Sequence, residues 1–311
     1  MEVLVDIVLK AGRSAVELSL FVLLPVMVVM LSIMRMLESR GVLDWVAHRA
    51  APLMKPFGLT GFGVFAALQI NFVSFAAPIA TLTMMEQRGV SDRQLATTLA
   101  MVMAMSQANV VLPMATMGLN VGFTLLFSLA GGLLAAAVTW YLLGRNLSSE
   151  DHVSDENLHT GKPEHRGVLD IINHAGSEAF KIAIGAIPML VLSLVVVTAL
   201  RKAGAIDALS NLLAPVLTQL GIDSVFLLPA LTKYLAGGTA MMGVMDEMFR
   251  QGQTTAAAFN KAAGFMINPL DLPGVAILIT AGKRVAAVWK PAALGAIIGI
   301  LLRSLAHGFV A

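Results

Sequence analysis

The amino-acid sequence predicts an all-α polytopic membrane protein made of two inverted repeats, each with an interfacial helix, a re-entrant hairpin and a broken helix. Three observations point there. Apolar residues make up 57% of the 311 residues and charged residues 13%, with a mean hydropathy of +0.81; soluble domains carry about 25% charge. Residues 94–144 contain no Asp, Glu, Lys, Arg or His, and since about 20 apolar residues cross a core of about 30 Å, that run is long enough to cross it twice. The chain also repeats itself. In one register Pro25 falls on Pro188, Gly41 on Gly204, Asp44 on Asp207, Ala51-Pro52 on Ala214-Pro215, Gly58 on Gly221, Gly89 on Gly252 and Gly132 on Gly295.

Composition also excludes. A net charge of +2 and a pI near 9.0 come from lysines and arginines placed in loops, so no nucleic-acid partner is expected. With no cysteine, disulfides and thiolate metal sites are out of reach. No Ser-His-Asp set, P-loop or His-Glu zinc motif is present, so the expectation is a protein that is not an enzyme and uses no cofactor or metal. Glu2, Asp6, Lys10 and Arg13 interrupt the apolar residues of the N-terminus, which argues against a cleavable signal.

The first repeat occupies 1–145 and the second 167–311, joined by a polar linker over 146–166 rich in Ser, Asp, Glu and His. The irregular spacing of His152, His159 and His165 gives no metal-ligand pattern. Each repeat opens with an amphipathic stretch (Val3–Gly12, Val168–Gly176), expected to lie at the membrane interface. A full-length apolar helix follows, over about 14–35 and 177–200. Then comes a segment too short and too polar to span (Gly41–Lys55, Gly204–Thr218), expected along the surface. Residues 59–87 and 222–250 are long for one crossing and carry polar residues and glycines near their middles. They read as re-entrant hairpins with tips at Val73–Ala77 and Ala236–Ala240. The next segments break at Ser106–Pro113 and at Asn268–Pro273, where prolines remove backbone donors. A closing apolar helix ends each repeat (121–144, 286–305). The pairs Arg13/Glu17 and Glu178/Lys181 have helical spacing and are expected to join within their own helices.

A returning hairpin leaves three crossings per repeat, and an odd number inverts the second copy. The basic residues of the first surface segment (Arg35, Arg40, Arg49, Lys55), the linker and the loop with Lys283, Arg284 and Lys290 then share one side, opposite the uncharged 119–122 turn. The excess of Lys and Arg makes that side cytoplasmic.

In residues, the stretch Leu231-Thr-Lys-Tyr-Leu-Ala-Gly-Gly-Thr-Ala240 followed by Val244-Met-Asp-Glu-Met248 is similar to the second hairpin of the nucleoside-recognition (Gate) domain membrane proteins. These include the spore maturation A and B proteins and the membrane part of the bacterial ferrous-iron transporter. Across nearly the whole chain the layout resembles the core of the concentrative nucleoside transporters, and the Asn268–Pro273 break sits where those have an unwound helix. The resemblance implies a bacterial inner (cytoplasmic) membrane protein, multi-pass, self-associating as a homodimer through its long helices. This chain departs from that family in its polar cluster: the first hairpin has Gln69-Ile-Asn71 and no acid, and the second break has Asn268 and Asp271.

An acid at mid-membrane faces a cavity and works there, or neutralises a partner such as Lys233. Asp271 is therefore the leading candidate. Lys233 could meet an anionic solute, pair with Asp271 or snorkel to the interface. Ser106, Gln107, Asn109 and Asn268 supply neutral donors and acceptors at the breaks, where half-helix ends expose backbone groups. Gln69, Asn71, Ser74 and Thr239 do so in the hairpins, with Gly237-Gly238 allowing a tight tip. These ten residues form the expected solute site. Asp271, Asn109 and Asn268 are the expected ligands of a coupling ion, Na+ or H+. Asp246 and Glu247 read as interfacial. The function expected is a secondary transporter or permease for a small polar solute, nucleoside-like if the resemblance extends to the substrate, with access alternating around a midplane site. The alternative is a non-transporting Gate-type membrane scaffold or signalling partner.

Overall fold

The computed structural model describes residues 2–150, 167–205, 208, 212 and 223–310. Most of the linker and most of the second surface segment, Gly204–Thr218, lie outside these. Among the described residues every regular element is helical. The first repeat comprises α1 (Glu2–Glu17), a π-helical turn at Leu18–Leu23, α2 (Leu24–Ser39), α3 (Val42–Met54), α4 (Gly61–Phe72), α5 (Pro78–Gln87), α6 (Asp92–Ala104), α7 (Ala108–Met114) and α8 (Val121–Val138). The second comprises α9 (Val168–Lys202), α10 (Leu227–Ala236), α11 (Gly238–Arg250), α12 (Ala256–Met266), α13 (Leu272–Leu278), α14 (Lys283–Ala287) and α15 (Trp289–Val310). Five helical stretches are long and apolar enough to cross a membrane, and the chain is a multi-pass membrane protein.

The duplication holds at the level of backbone angles. Gly41 and Gly204 end the opening helices of the two repeats with φ of 70° and 71°; Gly89 and Gly252 end the two hairpins with φ of 73° and 66°. These left-handed turns admit glycine far more readily than other residues, which is why the glycines recur in register.

The opening stretches differ from the sequence expectation. Val3–Gly12 and Val168–Gly176 are not separate interfacial helices. The first continues through the π turn into α2, and the second is the start of α9, a single helix of 35 residues and about 50 Å. Ile7, Ala11 and Ala15 are buried on one side, Ala175, Ala179 and Ala183 on the other. Small residues every fourth position let the two opening helices pack closely, as they do along α1, α2 and α9. Their acids pair across helices instead of within them. Glu178 meets Arg35 at 3.0 Å and Glu17 meets Arg250 at 3.6 Å. Asp246 also pairs with Arg250, at 2.8 Å.

The short α3 meets α4 at 107°, so it lies across the direction of the hairpin, with Trp45 exposed as an interfacial aromatic would be. The closing helices α8 and α15 pack against each other, and α6 and α12 pack against both. Like elements of the two repeats thus meet in pairs, opening on opening and closing on closing. Within Asp92–Met117 the apolar 18-residue window is 94% buried, against 31% and 23% for the corresponding windows of the opening spans. The broken helices therefore lie at the centre, and the opening pair forms an outer layer. At one end, Glu86 accepts the backbone N–H groups of Arg284 and Val285 at 3.0 and 3.1 Å, while the Arg284 guanidinium meets Asp92 at 2.6 Å. These contacts tie the first hairpin to the start of α14.

Candidate functional site

Two helices stop in mid-course. Between α6 and α7 the chain is extended at Met105 and Gln107, and between α12 and α13 the unwound stretch runs over 267–271. Pro113, expected to mark the first break, instead lies within α7. Pro273 sits in the first turn of α13, where its missing N–H removes no hydrogen bond. The two hairpins turn where expected, over 73–77 and at Gly237. Gly237 has φ 93° and ψ 168°, a region open essentially only to glycine. A side chain on the following Gly238 would run into Gln107 and Val110, so the second tip lies directly on the first break.

Both tips and both breaks meet around one cavity of about 380 Å³. Ser74, Gln107, Asn109, Thr239 and Asp271 line it, together with Leu23, Gly185 and Leu190 of the opening helices. The tips are tied to the breaks and the breaks to each other. Phe75 N–H donates to Asn109 Oδ1 at 3.2 Å, and Gln107 Nε2 donates to the Asn268 carbonyl at 3.3 Å across the repeats.

The other five residues expected in the site stand behind this lining. Gln69 Oε1 accepts from Thr81 at 2.7 Å, joining the two arms of the first hairpin. Asn71 Oδ1 accepts from Ser128 of α8 at 2.8 Å, and Ser128 Oγ accepts from the Ser106 N–H at 2.7 Å. Lys233 is completely buried in α10. Its ammonium donates to Asn268 Oδ1 at 2.7 Å and to the Leu270 carbonyl at 3.0 Å, lies 3.5 Å from Asp271 Oδ2, and faces the Tyr234 ring 4.1 Å away. Asp271 reaches both ways. Its Oδ1 accepts the Gly274 N–H at 2.7 Å, capping α13, and its edge borders the cavity. Of the arrangements open to Lys233 from sequence, the one seen here is the pair with Asp271.

Arg303 was not anticipated. It projects from α15, is fully buried, and donates to the Ala104 carbonyl at 2.5 Å, to Ser106 Oγ at 2.6 Å and to the Ile267 carbonyl at 2.9 Å. One guanidinium thus holds the C-terminal ends of both broken helices. Gly131 makes room for it, since a side chain there would meet the Arg303 stem. No carboxylate partners it among the described residues. The electrostatic compensation comes from the two helix C-termini, each carrying about half a negative charge. The sequence signal was available: an arginine well inside a 22-residue apolar helix marks a functional or organising position.

No family model matches the sequence, and no curated protein matches it. In structure the chain is similar to CNTnw, a concentrative nucleoside transporter. Against a doubly substituted CNTnw in an outward-facing state, the TM-score is 0.70 at 16% identity, covering 99% of this chain and 83% of that one. Against CNTnw in an inward-facing substrate-bound state, it is 0.70 at 15% identity, covering 99% and 82%. A CNTnw variant in an intermediate state gives 0.63 at 15% identity, covering 99% and 84%. Hairpins, broken helices and paired long helices therefore form, in this chain, the fold of the concentrative nucleoside transporters.

Proposed function

We propose that the protein is a secondary transporter for a small polar solute, nucleoside-like in size and polarity, which binds in the cavity between the hairpin tips and the helix breaks. The observation that carries this reading is the convergence of all four irregular segments on one cavity. Unwound backbone at membrane depth is tolerated where it is buried in protein or lines a wet cavity, and the unwound segments border this cavity, which supports the reading. A volume of about 380 Å³ falls in the range of small-molecule sites, about 300–1,000 Å³. The fold is that of a protein solved in outward-facing, intermediate and inward-facing states, which supports alternating access.

In this reading Ser74, Gln107, Asn109, Thr239 and Asp271 contact the solute, with Asp271 accepting from its hydroxyl or amino groups. Gln69, Asn71, Ser106, Lys233 and Asn268 hold the tips and breaks in place. The cavity is lined in part by the opening helices and for the rest by the hairpin-bearing body, so sliding of that body along α2 and α9 would carry the site from one side to the other. The linker faces the cytoplasm of a bacterium, and the outward apolar side chains of the opening helices, Phe21 and Phe180 among them, serve the bilayer or a second copy.

The test is a panel of nucleosides, nucleobases and small hydroxylated or amino solutes. These are screened for thermal stabilisation of the purified protein, and hits are assayed for uptake into proteoliposomes. We expect at least one class to stabilise the protein saturably and to be taken up. Stabilisation without uptake, in either membrane orientation, would remove transport from the reading and leave a binding protein.

A further inference from the structure

The Lys233 ammonium sits among oxygens of the kinds that hold an alkali cation. Its three oxygen neighbours are an amide oxygen, a backbone carbonyl and a carboxylate at 2.7, 3.0 and 3.5 Å, with the face of Tyr234 at 4.1 Å. All three oxygens belong to residues 268–271, the unwound stretch of the second broken helix. Unwound carbonyls and half-helix ends coordinate monovalent cations in membrane proteins. The ammonium is shut off from water and is not free to leave. The first break has a corresponding arrangement in Arg303, whose guanidinium engages the Ala104 carbonyl and Ser106 Oγ and also reaches the Ile267 carbonyl.

We propose that Lys233 is a tethered occupant of a monovalent-cation site, so that the second break is held together without a free ion, and that deleting the side chain opens the site to Na+ or K+. An empty cage would leave Asp271 unpaired next to a carbonyl with no donor, both costly at this depth. A free cation of similar size supplies the same charge to the same oxygens. Asn268 and Asp271, read from sequence as ligands of a coupling ion, then serve the lysine in the parent protein. The inference stands apart from the transport reading, because its readout is cation binding to the purified protein.

The experiment compares the full chain with Lys233→Ala and Lys233→Ser by melting temperature, at constant ionic strength, as N-methylglucamine is exchanged for Na+ or K+. Propylammonium, which restores the atoms removed by the alanine substitution, is a third cation. The parent is expected to be indifferent to the exchange. The variants are expected to melt lower by several degrees and to recover saturably with at least one of the three cations. Adding Asp271→Asn should abolish the recovery. Saturable stabilisation of the parent by Na+ or K+ that disappears in Asp271→Asn would overturn the proposal, since a free ion would then sit beside the lysine. So would folded variants that no cation stabilises, or two variants that cannot be recovered folded in the presence of any of them.

Discussion

Replacing Arg303 by leucine is expected to cost about 3–5 kcal/mol of stability, the range seen when one side of a buried charged arrangement is removed. Swapping a whole buried ion pair for apolar residues is often neutral, but here the partners stay behind. The Ala104 and Ile267 carbonyls and Ser106 Oγ would lose their donor, and each buried group left without one costs about 1–3 kcal/mol. The Arg303 Nε has no partner of its own, so its own loss orphans nothing further. Lysine should recover only part of the deficit, because a point charge cannot reach two helix ends at once as a forked guanidinium does. Unfolding of the purified variants, followed by heat or by titration into denaturing detergent, measures both effects. Leucine and parent proteins of equal stability would show that the guanidinium does not hold the breaks.

Asp271 carries the second large effect, and two substitutions separate its roles. Asp271→Ala removes the cap on Gly274 and the partner of Lys233 together, so stability should fall by about 3–5 kcal/mol. Asp271→Asn keeps an oxygen for the Gly274 N–H and roughly the same shape but removes the same negative charge beside Lys233, so its stability should fall by less only by the worth of the retained cap, about 0.5–2 kcal/mol. Its solute affinity should nonetheless drop by about ten- to a hundredfold, the worth of one hydrogen bond to a charged group at about 1.5–3 kcal/mol. Melting curves and solute titrations on the two variants measure both quantities. If Asp271→Asn bound the solute as the parent does, the carboxylate would be a structural cap and counter-ion alone.

The irregular parts of this fold were legible in the sequence because a membrane punishes irregularity. Gly237-Gly238, the Asn268–Pro273 run and the polar residues at 106–109 each break an apolar pattern, and a broken pattern at membrane depth needs a hairpin or an unwound helix to explain it. The opening helices were less legible. Lys10 and Arg13 suggest a surface helix, but both are compatible with a long helix whose other face, Ile7, Ala11 and Ala15, is buried on α9. Hydropathy alone does not distinguish a helix that stops at the interface from one that continues past it. Which polar residues line the cavity was not readable either. Gln69 and Asn71 lie five and three positions before Ser74, yet both turn away from the cavity, toward Thr81 and Ser128. Their direction depends on how the arm rests on its neighbours, and one sequence does not encode those neighbours locally. Arg303 stands two residues before the end of the apolar run expected over 286–305, and only its place in α15 against the other helices brings it to both breaks.

The chain contains no cysteine, so a single cysteine placed at Thr239 or Ser74 on the cavity wall reports access without background. Membrane vesicles of both orientations, treated with a membrane-impermeant thiol reagent, read which side reaches the cavity. Alternating access predicts labelling from each side, slowed from both by the same solute. Labelling confined to one side under all conditions, with or without solute, would contradict it.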